Sequence, residues 1–173
     1  MTVQDICEKA EELAIKYNPE GLSPFPFEKI VEDQKDIKLI NAEISNTISG
    51  AILKAENHYF IIVNPNKPAT RQQFTLAHEF GHYFLHKAIL DKGTKFIDGD
   101  PVLDSGTILL REDNADPNQL EREANNFAAS LIMPESLVKK AWETFKDIEA
   151  CAKVFNVSGA AMSIRLERLG LID

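Results

Sequence analysis

Apolar positions Val3, Ile6, Cys7, Ala10, Leu13, Ala14 and Tyr17 recur in steps of three and four, the period of an amphipathic helix. Asn18-Pro19 and Gly21 end it, and Ser23-Pro24-Phe25-Pro26 reads as a stiff loop before a short second helix over 27–34. The period then shortens. Residues 37–40, 50–55 and 59–63 form three β-type runs, separated by polar stretches at 45–49 and 56–58 that are short enough for hairpins. The third run is apolar throughout and is expected to be the most buried strand.

Asn64-Pro65-Asn66-Lys67-Pro68 reads as a turn. A long helix opens at Pro68 or Ala69 and runs to Ala88 or Leu90, with Gly93 beyond its end. Residues 91–116 are rich in Asp, Gly and Pro around the short runs Lys95-Phe96-Ile97 and Thr107-Ile108-Leu109-Leu110. This is long for a structureless loop, and such loops are often functional. Asp116-Pro117 opens a helix over 117–133 that Met133-Pro134 stops. Shorter helices are expected over 135–144, 147–155 and 158–169. The order of elements predicts an α+β fold, with a small antiparallel or mixed sheet packed on helices. The expected division within a single domain, 1–173, is an N-terminal helix and loop (1–24), a core (25–134) and C-terminal helices (135–173).

At 173 residues, 44% hydrophobic and 27% charged, the chain has the length and composition of one soluble globular domain. No apolar run approaches the roughly 20 residues that span a bilayer. The first residues lack the apolar stretch of an export signal, so a cytoplasmic location is expected. Cys7 and Cys151 are too few and too far apart for a disulfide framework, and both are expected to be small core residues. Nineteen basic against 27 acidic residues leave a net charge of −8, which argues against direct nucleic-acid binding through phosphate neutralisation.

The chemistry concentrates at His78-Glu79-Phe80-Gly81-His82, an HExxH sequence inside the predicted long helix. Residues four apart share a helix face, so the two imidazoles can point at one metal ion. Glu79 is placed to take a proton from a water that zinc polarises for attack on a carbonyl. Phe74, Ala77, Phe80, Gly81 and Phe84 lie on a neighbouring face and could bury the helix beside the site. His86, a further turn on, lies about 12 Å along the axis from His78, too far for three ligands in line to converge on a tetrahedral ion. It reads as a supporting or structural residue.

A third protein ligand is expected from the 117–133 helix, where Ala124, Ala128 and Ala129 allow close packing. Glu121 shares a face with Ala124, Asn125, Ala128 and Leu131, the face that packs, and is favoured over Glu123. Asn125 is placed to hold the free ring nitrogen of a metal-bound histidine. Tyr83, His58 and Tyr59 are each conceivable as the group that stabilises the oxyanion.

TLAHEFGHYFLH at 75–86 followed by EREANNFAASLIMP at 121–134 resembles the ImmA/IrrE family of zinc metallopeptidases, over roughly residues 25–170. The resemblance implies a compact zincin-like fold and a gluzincin-like site, with His78 and His82 as ligands and Glu79 as general base. A glutamate of the second motif would be the third ligand. It also implies a bacterial, often phage or mobile-element, protein that cleaves a helix-turn-helix repressor and so derepresses genes. The chain departs from the larger members in that nothing in it reads as a further sensor or DNA-binding domain. A non-catalytic, zinc-containing regulatory module that grips the repressor without cutting it is the alternative. An intact Glu79 favours the enzyme.

Residues 148–155 and 159–169 scan as helix, turn, helix, with Ser163, Arg165 and Arg168 on the second. Packing is the better reading of this pair, with Val157, Ala161, Ile164, Leu166 and Leu169 turned to the core, because basic residues are few and Glu167 lies among them. The sequence leaves the oligomeric state open.

Overall fold

The computed structural model describes residues 1–99 and 116–173. Seven helices and four strands occur among them: α1 (Val3–Tyr17), α2 (Phe27–Asp33), β1 (Ile37–Asn41), β2 (Ile48–Ala55), β3 (His58–Val63), α3 (Ala69–Leu90), β4 (Lys95–Gly99), α4 (Pro117–Ile132), α5 (Glu135–Phe145), α6 (Ile148–Phe155) and α7 (Gly159–Arg168). The fold is α+β, as the order of patterns predicts. Local chemistry sets the helix ends. Thr2 and Asp5 form a reciprocal capping box on α1, and Asp116 caps α4 by accepting from Asn118 N–H with Pro117 in the first turn.

The sheet is mixed, in the order β1-β3-β2-β4. β2 and β3 form the expected antiparallel hairpin, in register from Gly50 opposite Val63 to Ala55 opposite His58. The hairpin expected between the first two runs does not form. β1 pairs parallel to β3 instead, Ile37 opposite Tyr59 and Asn41 opposite Val63. The connection from β1 therefore skips one place, and the most apolar run fills the gap. No residue of β3 is exposed. Asn64, at the end of β3, fixes the crossing: it is fully buried, and its Nδ2 donates to the Ile48 carbonyl at 3.0 Å.

β4 corrects the expectation of a loop after α3. Lys95-Phe96-Ile97 extends to a five-residue edge strand, antiparallel to β2, with Phe96 opposite Ile52. The run 107–110 lies outside the described residues.

α3 lies across the sheet and packs on α4, which packs in turn on α1. Two glycines set these distances. A Cβ on Gly50 would sit 2.7 Å from the Ile62 carbonyl oxygen and would also collide with the Thr75 methyl. A Cβ on Gly81 would lie 3.1 Å from both Cα and O of Ala124. With Ala124 and Ala128 fully buried, the two helices meet almost backbone to backbone. Phe80, Phe127, Leu131, Ile52 and Ile61 fill the core around this junction. Of the two cysteines Cys151 is buried, but Cys7 is only partly covered, at the rim of the α1 stripe.

The α6–α7 pair packs as a core element. Arg165 is buried, with Nε 3.0 Å from the Met133 carbonyl and Nη2 3.1 Å from Glu11 Oε1. Val157 and Leu166 are buried, whereas Ile164, expected inside, is 51% exposed on the outer face of α7.

Candidate metal centre

α3 carries His78, Glu79 and His82 into the interior, with exposures of 3%, 0% and 0%. α4, held close by the Gly81–Ala124 contact, brings Glu121 against them. His78 Nε2 lies 3.1 Å from Glu121 Oε2, His82 Nε2 lies 3.4 Å from Glu121 Oε1, and the two Nε2 atoms are 3.0 Å apart. One ligand atom from each of the three residues falls within 4.8 Å of the others. Two imidazole nitrogens and a carboxylate in this space are a donor set that could hold a metal ion.

The electrostatics fit a cation. Burial pulls His78 down, but its hydrogen bond to Glu121 and the charges of Glu79, Asp98 and Glu121 outweigh that and hold it at about 9. Burial drives His82 to about 3 against the pull of Glu121. Burial raises Glu121, yet its bonds to both histidines bring it to about 2.

Glu79 is different. Its two carboxylate oxygens are buried with no hydrogen-bond partner among the described residues. Burial raises its carboxyl well above the usual range. A Cβ on Gly50 would be 3.7 Å from Glu79 Oε1, so the bare backbone of β2 is part of what covers the carboxylate. An orphaned, buried acid beside such a donor set fits a general base facing a metal.

The surrounding contacts were legible in part. Asn125 Oδ1 lies 3.0 Å from His78 Nδ1, the place expected for it. Glu123 is apart from the trio and meets His86, with His86 Nε2 3.0 Å from Glu123 Oε2. His86 in turn lies Nδ1 to Nδ1 against His82 at 2.9 Å. The sequence predicts His86 as a supporting or structural residue but not its link to Glu123; the helix departs from helical geometry at His86 (φ −119°, ψ 23°).

Sequence reasoning also missed Asp98 on β4. That carboxylate takes Arg71 Nη2 at 3.0 Å and Thr75 Oγ1 at 3.0 Å, tying the edge strand to α3 one turn before His78. The three oxyanion candidates have other roles or places. Tyr83 OH donates to Asp36 Oδ1 at 2.8 Å, Tyr59 OH donates to Asp91, and the His58 ring lies beside Phe60 at the start of β3.

Comparison with known proteins agrees with this geometry. Residues 32–167 match the M78 peptidase family model, described as the IrrE N-terminal-like domain. Over 119 residues the chain is 31% identical to the metallopeptidase ImmA of Bacillus subtilis (strain 168), covering 68% of this chain and 60% of that protein. The chain thus spans about 60% of the length of the curated relative it matches. No helix among the described residues is long and apolar enough to cross a membrane. Matched over most of its length, with the two histidines of HExxH and Glu121 drawn into one cluster, the chain belongs to the M78 peptidase family of the IrrE N-terminal-like domain.

Proposed function

We propose that this chain is a zinc-dependent endopeptidase, with His78, His82 and Glu121 as metal ligands, Glu79 as general base, and residues 1–173 working as one metallopeptidase domain. The observation that supports this best is the Glu79 carboxylate, fully buried and without a partner among the described residues. An acid with a structural role has partners, as the part-buried Asp98 has in Arg71 and Thr75.

Zinc held there would supply Lewis acidity, polarising the substrate carbonyl and lowering the pKa of a water towards roughly 7. The protein's own residues do the rest. Asn125 and His86 engage the two Nδ1 atoms, so that both rings present Nε2 to the site. Glu79 takes the proton from the attacking water and gives it to the leaving amine. Its burial, which strengthens its hold on a proton, suits it to both steps.

The substrate we propose is a protein. From the likeness of the two motifs to the ImmA/IrrE family, we take it to be a DNA-binding repressor of the helix-turn-helix class, cut in the cytoplasm to derepress genes. The test is Glu79→Gln. The variant should keep fold and zinc, bind a helix-turn-helix repressor that the native protein cuts, and lose cleavage by about 10²–10⁴-fold. Repressor length on a gel is read beside reporter output. Undiminished derepression with no fragments from either protein would identify a module that grips the repressor instead of cutting it.

A further inference from the structure

A histidine that holds a metal must present a bare nitrogen, and a neutral imidazole has only one. The hydrogen bond at the other nitrogen decides which. For His78 the decision is local: an acceptor, Asn125 Oδ1, faces its Nδ1. For His82 it is not. Its Nδ1 faces the Nδ1 of His86 at 2.9 Å, another imidazole nitrogen that can either donate or accept.

Two neutral rings can share one proton there in two ways. If His82 donates, its Nε2 is bare toward His78 and Glu121. If His86 donates, His82 carries its proton on Nε2, pointing where an ion would sit. The choice falls one residue further out. His86 Nε2 lies 3.0 Å from Glu123 Oε2, and a carboxylate only accepts. His86 therefore keeps its proton on Nε2 and accepts through Nδ1, and His82 donates and exposes Nε2.

We infer that His86 and Glu123 are positioning residues that set the tautomer of His82 through two hydrogen bonds in series. The inference rests on the metal reading above. The geometry of the chain supports it at each link. Glu123 Oε1 accepts from Gln119 Nε2 at 2.8 Å, one turn earlier on α4, which steadies the carboxylate. Phe96 of β4 stacks on the His82 ring, 3.9 Å between centroids and 19° between planes, and fixes its orientation. Both histidines are buried, so water does not compete readily for their nitrogens. The departure of α3 from helical geometry falls at His86 itself, the residue that meets both partners.

The test compares native protein with Glu123→Ala, Glu123→Gln and His86→Phe. Zinc affinity is measured by chelator competition, and the His82 tautomer by ring-nitrogen NMR of metal-free, histidine-labelled protein, with circular dichroism as the check on folding. Native His82 should carry its proton on Nδ1. Glu123→Ala and His86→Phe should weaken zinc binding by about 10–100-fold, and Glu123→Ala should move proton density to His82 Nε2. Glu123→Gln, whose amide can accept or donate, should fall between native and Glu123→Ala, and it carries the test if the alanine variant does not fold. Native zinc affinity and native tautomer in folded Glu123 variants would overturn the relay alone. A native protein that takes up no zinc would overturn the metal reading and the relay with it.

Discussion

Asn125 Oδ1 and His78 Nδ1 are 3.0 Å apart, and Asn125 stands one helical turn beyond Glu121 on α4. One face of one helix therefore supplies both a candidate ligand and the group that orients another. Asn125→Ala should keep the helical spectrum and weaken zinc binding by about 10–100-fold, while Asn125→Asp, which keeps an acceptor, should bind zinc at least as well as the alanine variant. Chelator competition measures both. Equal affinity in native and alanine proteins would remove any orienting role for the contact.

Glu121 and Glu123 are separated by one residue and meet different histidines. Glu121→Ala should strip the purified protein of most of its metal. Glu123→Ala should lower affinity yet fill at saturating zinc. Metal analysis after dialysis against graded zinc distinguishes them, and the reverse ranking would exchange their assignments.

How much of this was legible follows from range. His78, Glu79, His82, Glu121 and Asn125 each declare themselves through spacing on one helix, where the period of 3.6 residues fixes what is adjacent. The relation of Glu123 to His86 depends on two helices and a local break in one of them, which no periodic pattern contains. The β2–β3 hairpin is legible for the same local reason. The parallel β1–β3 pairing is not, because it depends on which strand fills the place that the β1 connection skips. β4 shows in the sequence only as the run Lys95-Phe96-Ile97, and its setting among Asp and Gly residues makes that run read as part of a loop.

Gly50 tests the fit between sheet and helix. An added Cβ would meet the Ile62 carbonyl oxygen at 2.7 Å, a backbone atom that cannot rotate away. Gly50→Ala should cost about 1–3 kcal/mol through overpacking, lowering the thermal midpoint by several degrees. The same Cβ would lie 3.7 Å from Glu79 Oε1, an ordinary contact, so turnover should fall only as far as the loss of stability explains. An unchanged midpoint would mean that β2 yields easily under α3.

Asp36 gives a pH-dependent contribution of its own, through Tyr83 and Lys87 of α3. Burial pushes its carboxyl up, but hydrogen bonds from Lys87 Nζ at 2.9 Å and Tyr83 OH at 2.8 Å outweigh it, and the net direction is down. A depressed acid stabilises the fold above its unfolded pKa, near 4, and that stability is lost as the pH falls through the folded value. With 36% of the Asp36 side chain exposed, the contribution should be under about 1 kcal/mol. Denaturant titrations should therefore show Asp36→Asn weaker than native at pH 7, with the gap closing below about pH 4. A gap that persists in acid would assign the effect to packing.

The meeting of His82 on α3 with Glu121 on α4 has a consequence for how the chain folds. An ion held between them would be a reversible clasp between segments that enclose β4 in the sequence, closing a loop much as a disulfide does. By the chain-entropy model a cross-link over a loop of this span restricts the unfolded ensemble by roughly 4 kcal/mol. Since α4 also lies against α1, the clasp would reach the N-terminal helix as well. Availability of the ion would then govern the lifetime of the folded chain as well as its chemistry, and a cell short of the metal would carry the protein as a shorter-lived one.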